Sequence, residues 1–533
     1  MQAIILAAGM GTRIPQYTQA MPKCMIRING KPMLAHTVDA LREAGITRII
    51  IGLGYKGQVI RDFIAESYPA ATGLSFAFVE NPVYDTTNNI YSLYLIRDYF
   101  SEDDTLLLES DLIYDKEILK ELLALPAANA AVLSPFESWM DGSCCLLDGS
   151  GHITGMVGKK DFRYEDAAGY YKTVNIWKFS KDFISATYIP SLASYMASYG
   201  KNEYYETVLK LVAENDPTAL GSLVISGDRW YEVDDIADLS VAEKRFTPPA
   251  ERYELIRQEA GGSWRFPGLS DFTIDSNPFF PPERLLSELR YGLADCLTKN
   301  PSSADELDIL AAKLLGADVG QVCVATDVPQ SGTTCISADE SDPAGSGGQV
   351  HDDTYTDFAS LTGQAEPAGR EQLHIVNLGK RYGMPGLRAC VLFSADPNVI
   401  QPYKGRGRLS SPEEYFMQIA GKYKKDYALA SKAFTEECAR MEKALCTLHG
   451  IQGERQFNRL TLHFTAYPVE ADVKKLAALL LDQYKILVST ASTGSGDGTL
   501  TVFVRDPKSN DRLCAALAAL TALTKSETAE PEA

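Results

Sequence analysis

The stretch from Ala3 to Arg13, AIILAAGMGTR, decides the fold of the first half of the chain. A run of apolar residues leads directly into a turn with two glycines and an arginine. This pattern predicts a buried strand that ends in a loop, where backbone N–H groups can approach a phosphate closely. Arg13 and Lys23 would supply positive charge for a triphosphate. A dinucleotide-binding turn is disfavoured, because the third glycine of that fingerprint is absent.

Further apolar runs follow this loop. The runs ITRIIIGL (46–53), LSFAFV (74–79) and DTLLLES (104–110) predict strands, and segments with helical spacing of apolar residues lie between them. Such alternation predicts an α/β domain with a doubly wound, mostly parallel sheet. Ligands of such sheets bind at the carboxyl ends of the strands.

The composition predicts a soluble protein of two large domains, because 533 residues exceed one ordinary core. With 51 basic and 70 acidic residues the net charge is −19, which argues against nucleic acid as a partner and against an anionic membrane surface. The cysteines show no CxxC pair and the histidines no HExxH, so neither a zinc site nor a disulfide framework is expected. No stretch has the pattern of a signal peptide or a membrane span, and a cytoplasmic location is expected.

Composition shifts along the chain predict the domain boundaries. We expect a first domain over 1–245, a linker over 246–265, a second α/β domain over 266–525 and a disordered acidic tail over 526–533. Residues 326 to 350 have few large apolar side chains and cannot supply much core.

The motifs LAAGMGTR (6–13), PKCMI (22–26) and NGKPML (29–34) resemble the nucleotidyltransferases that make nucleotide sugars and CDP-alcohols. The resemblance implies a Rossmann-like domain in which Lys23 contacts the α-phosphate. It implies that the nucleotide phosphates are held by the loop residues Ala7, Ala8, Gly9, Gly11 and Thr12.

The same resemblance implies two acidic magnesium ligands. Asp111 follows the strand DTLLLES, and Asp234 lies in YEVDD (231–235). Magnesium prefers few carboxylates together with phosphate oxygens. The implied reaction is in-line attack of a substrate phosphate oxygen on the α-phosphorus of a nucleoside triphosphate, with release of pyrophosphate.

The segments NPVY (81–84) and TTNNIYSL (86–93) look like the phosphocholine and phosphonoalkyl cytidylyltransferases rather than the sugar branch, which favours CTP. Asn88 and Asn89 take the positions of base-reading residues, although an Asn pair before a helix is also a plain N-cap. Trp139 falls near the choline pocket of that branch, where a cation–π contact could hold an ammonium group. Lys172 and Glu206 are candidates for the substrate phosphate and amine, with a solvated surface role as the alternative.

The second domain resembles fold-type I pyridoxal-phosphate enzymes of the histidinol-phosphate aminotransferase and threonine-phosphate decarboxylase group. The motifs are DSNP (275–278), VHDDTYTDFA (350–359) and VNLGKRYGMPGLR (376–388). The resemblance implies Lys380 as the Schiff-base lysine, Asp352 at the pyridine nitrogen, Tyr355 at the ring oxygen and Arg388 at the cofactor phosphate. It also implies a homodimer through this domain.

This domain departs from the family in two ways. It is shorter, and the cofactor-phosphate loop and the ring-stacking aromatic are not found after Thr326; Thr501 stands where the substrate-carboxylate arginine is expected. The prediction is therefore a cytidylyltransferase for phosphocholine, phosphoethanolamine, phosphoserine or 2-aminoethylphosphonate, fused to an aminotransferase-like domain. Two alternatives stay open: a sugar-1-phosphate nucleotidyltransferase, and a single-activity enzyme with a non-catalytic dimerisation or regulatory module.

Overall fold

The computed structural model describes residues 1–258, 262–325, 335–336, 350–356, 372–448, 450–464, 470–492 and 498–528. The chain forms two compact units, the first of residues 1–258 and 264–268 and the second chiefly of the residues from Leu269 onward. Most of the expected linker over 246–265 thus belongs to the first unit, because Pro249–Gln258 forms a helix there.

A mixed sheet forms the centre of the first unit. The strands of this unit are β1 (Gln2–Ala7), β2 (Arg48–Leu53), β3 (Ser75–Glu80), β4 (Thr105–Glu109), β5 (Leu112–Tyr114), β6 (Ala130–Pro135), β7 (Cys144–Leu147), β8 (Ile153–Val157), β9 (Tyr171–Phe179), β10 (Gly221–Val224) and β11 (Trp230–Glu232). The main path of the sheet runs β8-β7-β9-β4-β1-β2-β3, and β6 joins β9 to β10. The four strands predicted from the sequence, β1 to β4, are confirmed and pair in parallel.

The expectation of a mostly parallel sheet is wrong for the half of the sheet that contains β7, β8 and β9. The long strand β9 pairs antiparallel with β4, β6 and β7, and β7 pairs antiparallel with β8. Hydrophobic periodicity identifies strands but does not give the direction of pairing, which depends on tertiary contacts.

Helices cover both faces of the sheet. Those of eight or more residues are α1 (Met33–Glu43), α2 (Gly57–Ser67), α3 (Asn89–Phe100), α4 (Glu117–Ala124), α5 (Ile189–Tyr199), α6 (Glu206–Asn215), α7 (Ile236–Phe246) and α8 (Pro249–Gln258). Alternate residues of β1 enter two different cores: Ile5 packs with Leu34 of α1, whereas Ile4 packs with Leu93 of α3. Because β1 is buried on both faces, its sequence is a continuous apolar run.

The second unit is also α/β. Its labelled strands are β12 (Val322–Ala325), β13 (Cys335–Ile336), β14 (Val350–Asp352), β15 (Leu373–Asn377), β16 (Cys390–Phe393), β17 (Ile451–Gln456), β18 (Arg459–Phe464), β19 (Ser489–Ser492) and β20 (Gly498–Phe503). One sheet has the order β12-β16-β15-β14-β13 and mixed pairing, and a second has the antiparallel order β17-β18-β20-β19.

The helices of the second unit pack around these two sheets. They are α9 (Glu283–Thr298), α10 (Ala304–Leu315), the short α11 (Leu378–Arg381), α12 (Ser411–Ala420), α13 (Lys424–Cys446), α14 (Glu470–Tyr484) and α15 (Pro507–Thr528). The start of the expected disordered tail, residues 526–528, belongs to α15, and residues 529–533 lie outside the described residues. No helix in the described part of the chain is both long and apolar enough to span a membrane.

Candidate active site

A cavity of about 970 Å³ opens at the carboxyl ends of the parallel strands of the first unit. The loop after β1 forms one side of it, with Ala8, Gly9, Gly11 and Thr12 among the lining residues. Ala7 does not line the cavity; it is buried in the core beneath the loop, because alternate residues of a strand face opposite sides.

Glycine is required at position 11. Its φ is +61°, a conformation that L side chains rarely adopt, and an added Cβ would lie 2.8 Å from Thr18 Cγ2 and 3.0 Å from Lys23 Cβ. The loop and Lys23 therefore pack against each other directly, which fixes the lysine beside the phosphate-binding turn.

Lys23 bridges the two predicted magnesium ligands. Its Nζ donates to Asp111 Oδ2 and to Asp234 Oδ1, both at 2.8 Å, and the Arg13 guanidinium lies 2.7 Å from Asp234 Oδ1. Burial by itself lowers the pKa of Lys23, but the two aspartates outweigh it and raise that pKa above its ordinary value. Burial raises the pKa of Asp111, but Lys23 outweighs this and lowers it below its ordinary value. The lysine is thus charged and the aspartate ionised.

A small ribbon brings the distant acids together. Strand β11 pairs antiparallel with β5, with Glu232 opposite Leu112, and Val233 N–H donates to the carbonyl of Asp111 at 3.0 Å. Helix α7 begins at Ile236, with Asp235, the residue after Asp234, as its N-cap. The ribbon before Asp234 and the first turn of α7 after it therefore fix the backbone on both sides of this residue.

Three carboxylates could hold a metal here: single oxygens of Asp111, Glu232 and Asp234 all lie within 4.8 Å of one another. Oxygen donors of this kind suit a hard divalent cation such as magnesium. Glu232 was missed as a ligand by the sequence analysis, although it stands two residues before Asp234, a spacing that in an extended chain puts both side chains on one face.

Lys172 and Glu206 both line the cavity. The Nζ of Lys172 is 3.3 Å from Glu232 Oε2 and donates to the carbonyl of Thr173 at 2.9 Å, and the side chain is 2% exposed. This excludes the solvated surface role for Lys172. Burial raises the pKa of Glu206 to about 7. Burial, with Asp111 and Glu206 nearby, also raises the pKa of Glu109, a cavity residue to which the sequence analysis gave no role.

The Asn pair also lines the cavity. Asn88 is the N-cap of α3, and its side chain accepts from the N–H of Asn89 at 2.8 Å. Asn89 Nδ2 donates to Glu109 Oε1 at 3.1 Å, and its Oδ1 accepts from the N–H of Tyr205 at 3.0 Å. Asn88 is thus an N-cap that also lines the cavity, and both the oxygen and the nitrogen of the Asn89 side-chain amide are hydrogen-bonded to protein groups. The base-reading role of the pair stays a prediction.

Trp139 was expected in a choline pocket, and the structure places it elsewhere. Its ring stacks on Tyr231 with 4.2 Å between centroids, its Nε1 donates to Glu137 Oε2 at 2.8 Å, and it does not line the cavity. The aromatic residues that do line the cavity, among the described ones, are Tyr84 and Tyr204.

The second unit holds a cluster around Lys380. Its Nζ is 2.7 Å from Asp275 Oδ2, and Asp275 Oδ1 accepts from Tyr355 OH at 2.8 Å and from Asn458 Nδ2 at 2.9 Å. Burial alone lowers the pKa of Lys380, but Asp275, and more weakly Asp352, raise it above its ordinary value. Asp275, quoted in the sequence motif without a role, is the centre of the cluster.

Two further predicted residues contact other groups. Asp352 Oδ1 accepts from the N–H and the hydroxyl of Thr354, at 3.1 and 2.6 Å. Arg388 is exposed, and its backbone N–H donates to Glu413 Oε1 at 2.7 Å; within the described residues no hydrogen bond or ion pair joins it to Lys380. Residues 326–334, where the family's phosphate loop is expected, lie outside the described residues.

The fold and the site of the first unit agree with one class of enzyme. Residues 3–156 match the model of the MobA-like NTP transferase domain. The chain therefore carries a nucleotidyltransferase domain, and its relatives include cytidylyltransferases.

Three relatives illustrate the likeness. CMP-5'-(3-aminopropyl)phosphonate synthase of Streptomyces rubellomurinus is 30% identical over 330 residues, which cover 61% of this chain and 51% of that protein. CTP:phosphoglutamine cytidylyltransferase of Campylobacter jejuni is 26% identical over 262 residues, or 45% of this chain and 98% of the relative. 2-Aminoethylphosphonate cytidylyltransferase of Lancefieldella rimae is 38% identical over 115 residues, 22% of this chain and 44% of the relative.

The chain spans about half the length of the first of these relatives. That match is longer than the first unit, so it extends into the second unit.

Proposed function

We propose that the protein is a magnesium-dependent cytidylyltransferase that couples CTP to a small phospho-amino-alcohol or aminoalkyl phosphonate and releases pyrophosphate. The substrate candidates are phosphocholine, phosphoethanolamine, phosphoserine and 2-aminoethylphosphonate. The observation that carries the proposal is the meeting of the glycine loop, Arg13 and Lys23 with Asp111 and Asp234 in one cavity.

Different residues of the cavity would serve different parts of an in-line displacement. A substrate oxygen attacks the α-phosphorus, a new P–O bond forms, and the bond to the β-phosphate oxygen breaks. Backbone N–H groups of the loop and the side chains of Arg13 and Lys23 would hold the triphosphate and offset its charge. Asp111, Glu232 and Asp234 would bind magnesium, which supplies charge neutralisation at the phosphates when bound. The protein contributes position and charge rather than a nucleophile.

The test is a substrate panel. Pyrophosphate release would be measured for CTP, UTP, dTTP and GTP, each with the four candidate substrates and with hexose 1-phosphates. We expect turnover with CTP and an amine-bearing phosphate or phosphonate. Turnover with a sugar 1-phosphate and UTP or dTTP would instead establish the sugar-1-phosphate alternative.

A second function is favoured by the cluster at Lys380. We propose that the second unit binds pyridoxal phosphate, with Lys380 holding the aldehyde and Asp352 and Tyr355 beside the ring. The half-buried, hydrogen-bonded lysine next to Asp275 supports this, as does the approach of Asp352. When bound, the cofactor supplies an electron sink for amino-acid chemistry.

Visible absorbance of the purified protein after incubation with pyridoxal phosphate tests this second proposal. We expect an absorbance band that borohydride removes and that Lys380→Ala lacks. Without such a band, the second unit is a non-catalytic dimerisation or regulatory module. The proposed homodimer is tested separately by sedimentation equilibrium.

A further inference from the structure

Two buried oxygens line the cavity without a hydrogen-bond partner among the described residues. They are Oδ1 of Asn175 and Oε2 of Glu206. Asn175 is only 8% exposed. Buried acceptors are almost always paired in folded proteins, because an unpaired one loses its hydration and gains nothing in return. Open acceptors in a cavity therefore indicate a ligand that brings donors.

The backbone at Asn175 is strained. Its φ is +59°, and the register between β9 and β6 shifts between Thr173 and Trp177, the stretch that contains it. Its neighbours Val174 and Ile176 are completely buried. A non-glycine residue in this conformation costs free energy and is typical of sites where a side chain must be presented to a ligand.

Asn175 lies beside Glu109. Strand β9 pairs with β4 from Ile176, which is opposite Leu108, so the next residues along each strand are Asn175 and Glu109. The sheet register thus puts an amide and a carboxylate side by side at the end of β4.

Glu206 lines the same cavity as Glu109 and Asn175 but belongs to a helix rather than to the sheet. It is the first residue of α6, and the Asn89 amide, which donates to Glu109 Oε1, also accepts from the N–H of Tyr205, the residue directly before Glu206. Within the described part of the chain no ion pair joins Glu109 or Glu206 to a cation; Lys23 is held by Asp111 and Asp234, and Lys172 by Glu232. The group of Glu109, Asn175 and Glu206, here called the acceptor triad, therefore offers acceptor oxygens that no cation of the described residues occupies, and a bound ammonium would favour the ionised form of its two carboxyls.

We propose that the acceptor triad binds the terminal amine of the substrate as a primary ammonium ion. This rests on the proposed cytidylyltransferase function and narrows its substrate class. A primary ammonium has three N–H donors, and the triad offers three acceptor groups. A trimethylammonium group has no donor, so it would leave Asn175 Oδ1 and Glu206 Oε2 unpaired. The site therefore selects a substrate with a primary amine, such as phosphoethanolamine, phosphoserine or an aminoalkyl phosphonate, over phosphocholine.

The position of Trp139 agrees with this selection. Quaternary ammonium groups are held by aromatic faces rather than by hydrogen bonds. The indole of Trp139 is stacked on Tyr231 and does not line the cavity, so that of the described aromatic residues only Tyr84 and Tyr204 line it.

The wild-type protein gives the first test, by kcat/KM for pyrophosphate release with CTP and magnesium. Phosphoethanolamine is compared with phosphocholine, and 2-aminoethylphosphonate with ethylphosphonate. We expect kcat/KM to be higher for the primary amine by at least about tenfold in each pair, which is the effect expected from one charge-assisted hydrogen bond. If phosphocholine is as good a substrate as phosphoethanolamine, the inference is wrong and the cytidylyltransferase function stands. If no amine-bearing substrate is turned over, both are wrong.

Variants give the second test. Glu206→Gln removes the charge, and Asn175→Gly removes the amide without strain, because glycine accepts a positive φ. Each should reduce the preference for 2-aminoethylphosphonate over ethylphosphonate by about tenfold, measured as the ratio of the two kcat/KM values. The control Glu214→Gln, at the other end of α6, should leave the preference unchanged.

One result of these variants would assign the triad to a metal instead. Glu206→Gln could raise the magnesium concentration needed for turnover of both substrates equally and leave the ratio of their kcat/KM values unchanged. In that case the triad holds a cation other than the substrate amine. If a variant does not fold, the wild-type substrate pairs still decide the question.

Discussion

Lys23 shows how one side chain joins three distant parts of the chain. Its two carboxylate partners are 88 and 211 residues away in sequence. Charged groups in a buried site need partners, because the loss of hydration is otherwise uncompensated. Lys23 keeps Asp111 and Asp234 close without a metal, and binding of a magnesium–triphosphate complex would offer all three groups new partners.

The first prediction concerns Asp234. Asp234→Asn should lower kcat/KM for pyrophosphate release by about a hundredfold or more, since a metal contributes several kcal/mol of charge stabilisation and its loss is felt in the transition state. The matched control is Asp235→Asn, which removes the same charge one residue away but keeps a good N-cap for α7. Equal losses in the two variants would contradict a metal-binding role for Asp234.

The second prediction concerns the glycine loop. Gly11→Ala should lower the free energy of unfolding by about 1–2 kcal/mol, the cost of a left-handed conformation for a residue with a Cβ, and should weaken CTP binding because the new methyl group would displace Lys23. Gly9→Ala is the control for stability, since an added Cβ there has no protein atom within 4 Å. Urea unfolding and CTP titration measure the two effects. A Gly11→Ala protein as stable as Gly9→Ala would show that the loop is not packed as described.

The strands differ in how well the sequence predicts them. Strands β1, β2 and β4 are apolar runs buried on both faces, and the half-buried β3 is also an apolar run, so their pattern is strong. Strands β5 and β11 have three residues each, too few for any periodicity, so the convergence of Asp111 and Asp234 followed only from the family resemblance. The bulge at Asn175 has no sequence signal, because it results from how β9 fits between β4 and β6.

Helix α6 leads to a prediction about pH, since it begins with the buried Glu206. Burial raises the pKa of this carboxyl from 4.5 to about 7, so between these values the folded protein holds a proton that the unfolded chain releases. The contribution of Glu206 to the free energy of unfolding is therefore lost as pH rises from 4.5 to 7, by about 3 kcal/mol. Glu206→Gln should lack this decline.

Tryptophan fluorescence during urea unfolding can measure this effect, because all four tryptophans belong to the first unit. Wild type and Glu206→Gln would be compared at several pH values between 4.5 and 7.5. The variant should gain stability relative to wild type as pH rises. If the free energies of unfolding of the two proteins changed with pH in the same way, a raised pKa of Glu206 would be contradicted.

The two units of the chain have separate cores and separate candidate sites. Every residue that lines the nucleotide cavity lies between Leu6 and Asp234, within the first unit, whereas the Lys380 cluster lies entirely in the second. The relative from Streptomyces matches across both units. A shared substrate would explain such a fusion, because the amine that the acceptor triad is proposed to bind is also the group on which pyridoxal-phosphate chemistry acts.

The last prediction follows from this separation. A fragment of residues 1–268 should fold and should release pyrophosphate from CTP with a kcat/KM within about threefold of the full chain, because the cavity, its metal ligands and both cores of the sheet lie inside it. Cooperative urea unfolding of the fragment controls for folding. Lys380→Ala in the full chain is the companion variant: it should abolish pyridoxal-phosphate absorbance and leave pyrophosphate release unchanged. A folded but inactive fragment would mean that the second unit takes part in cytidylyl transfer, and the description of two independent sites would have to be replaced by one in which they act together.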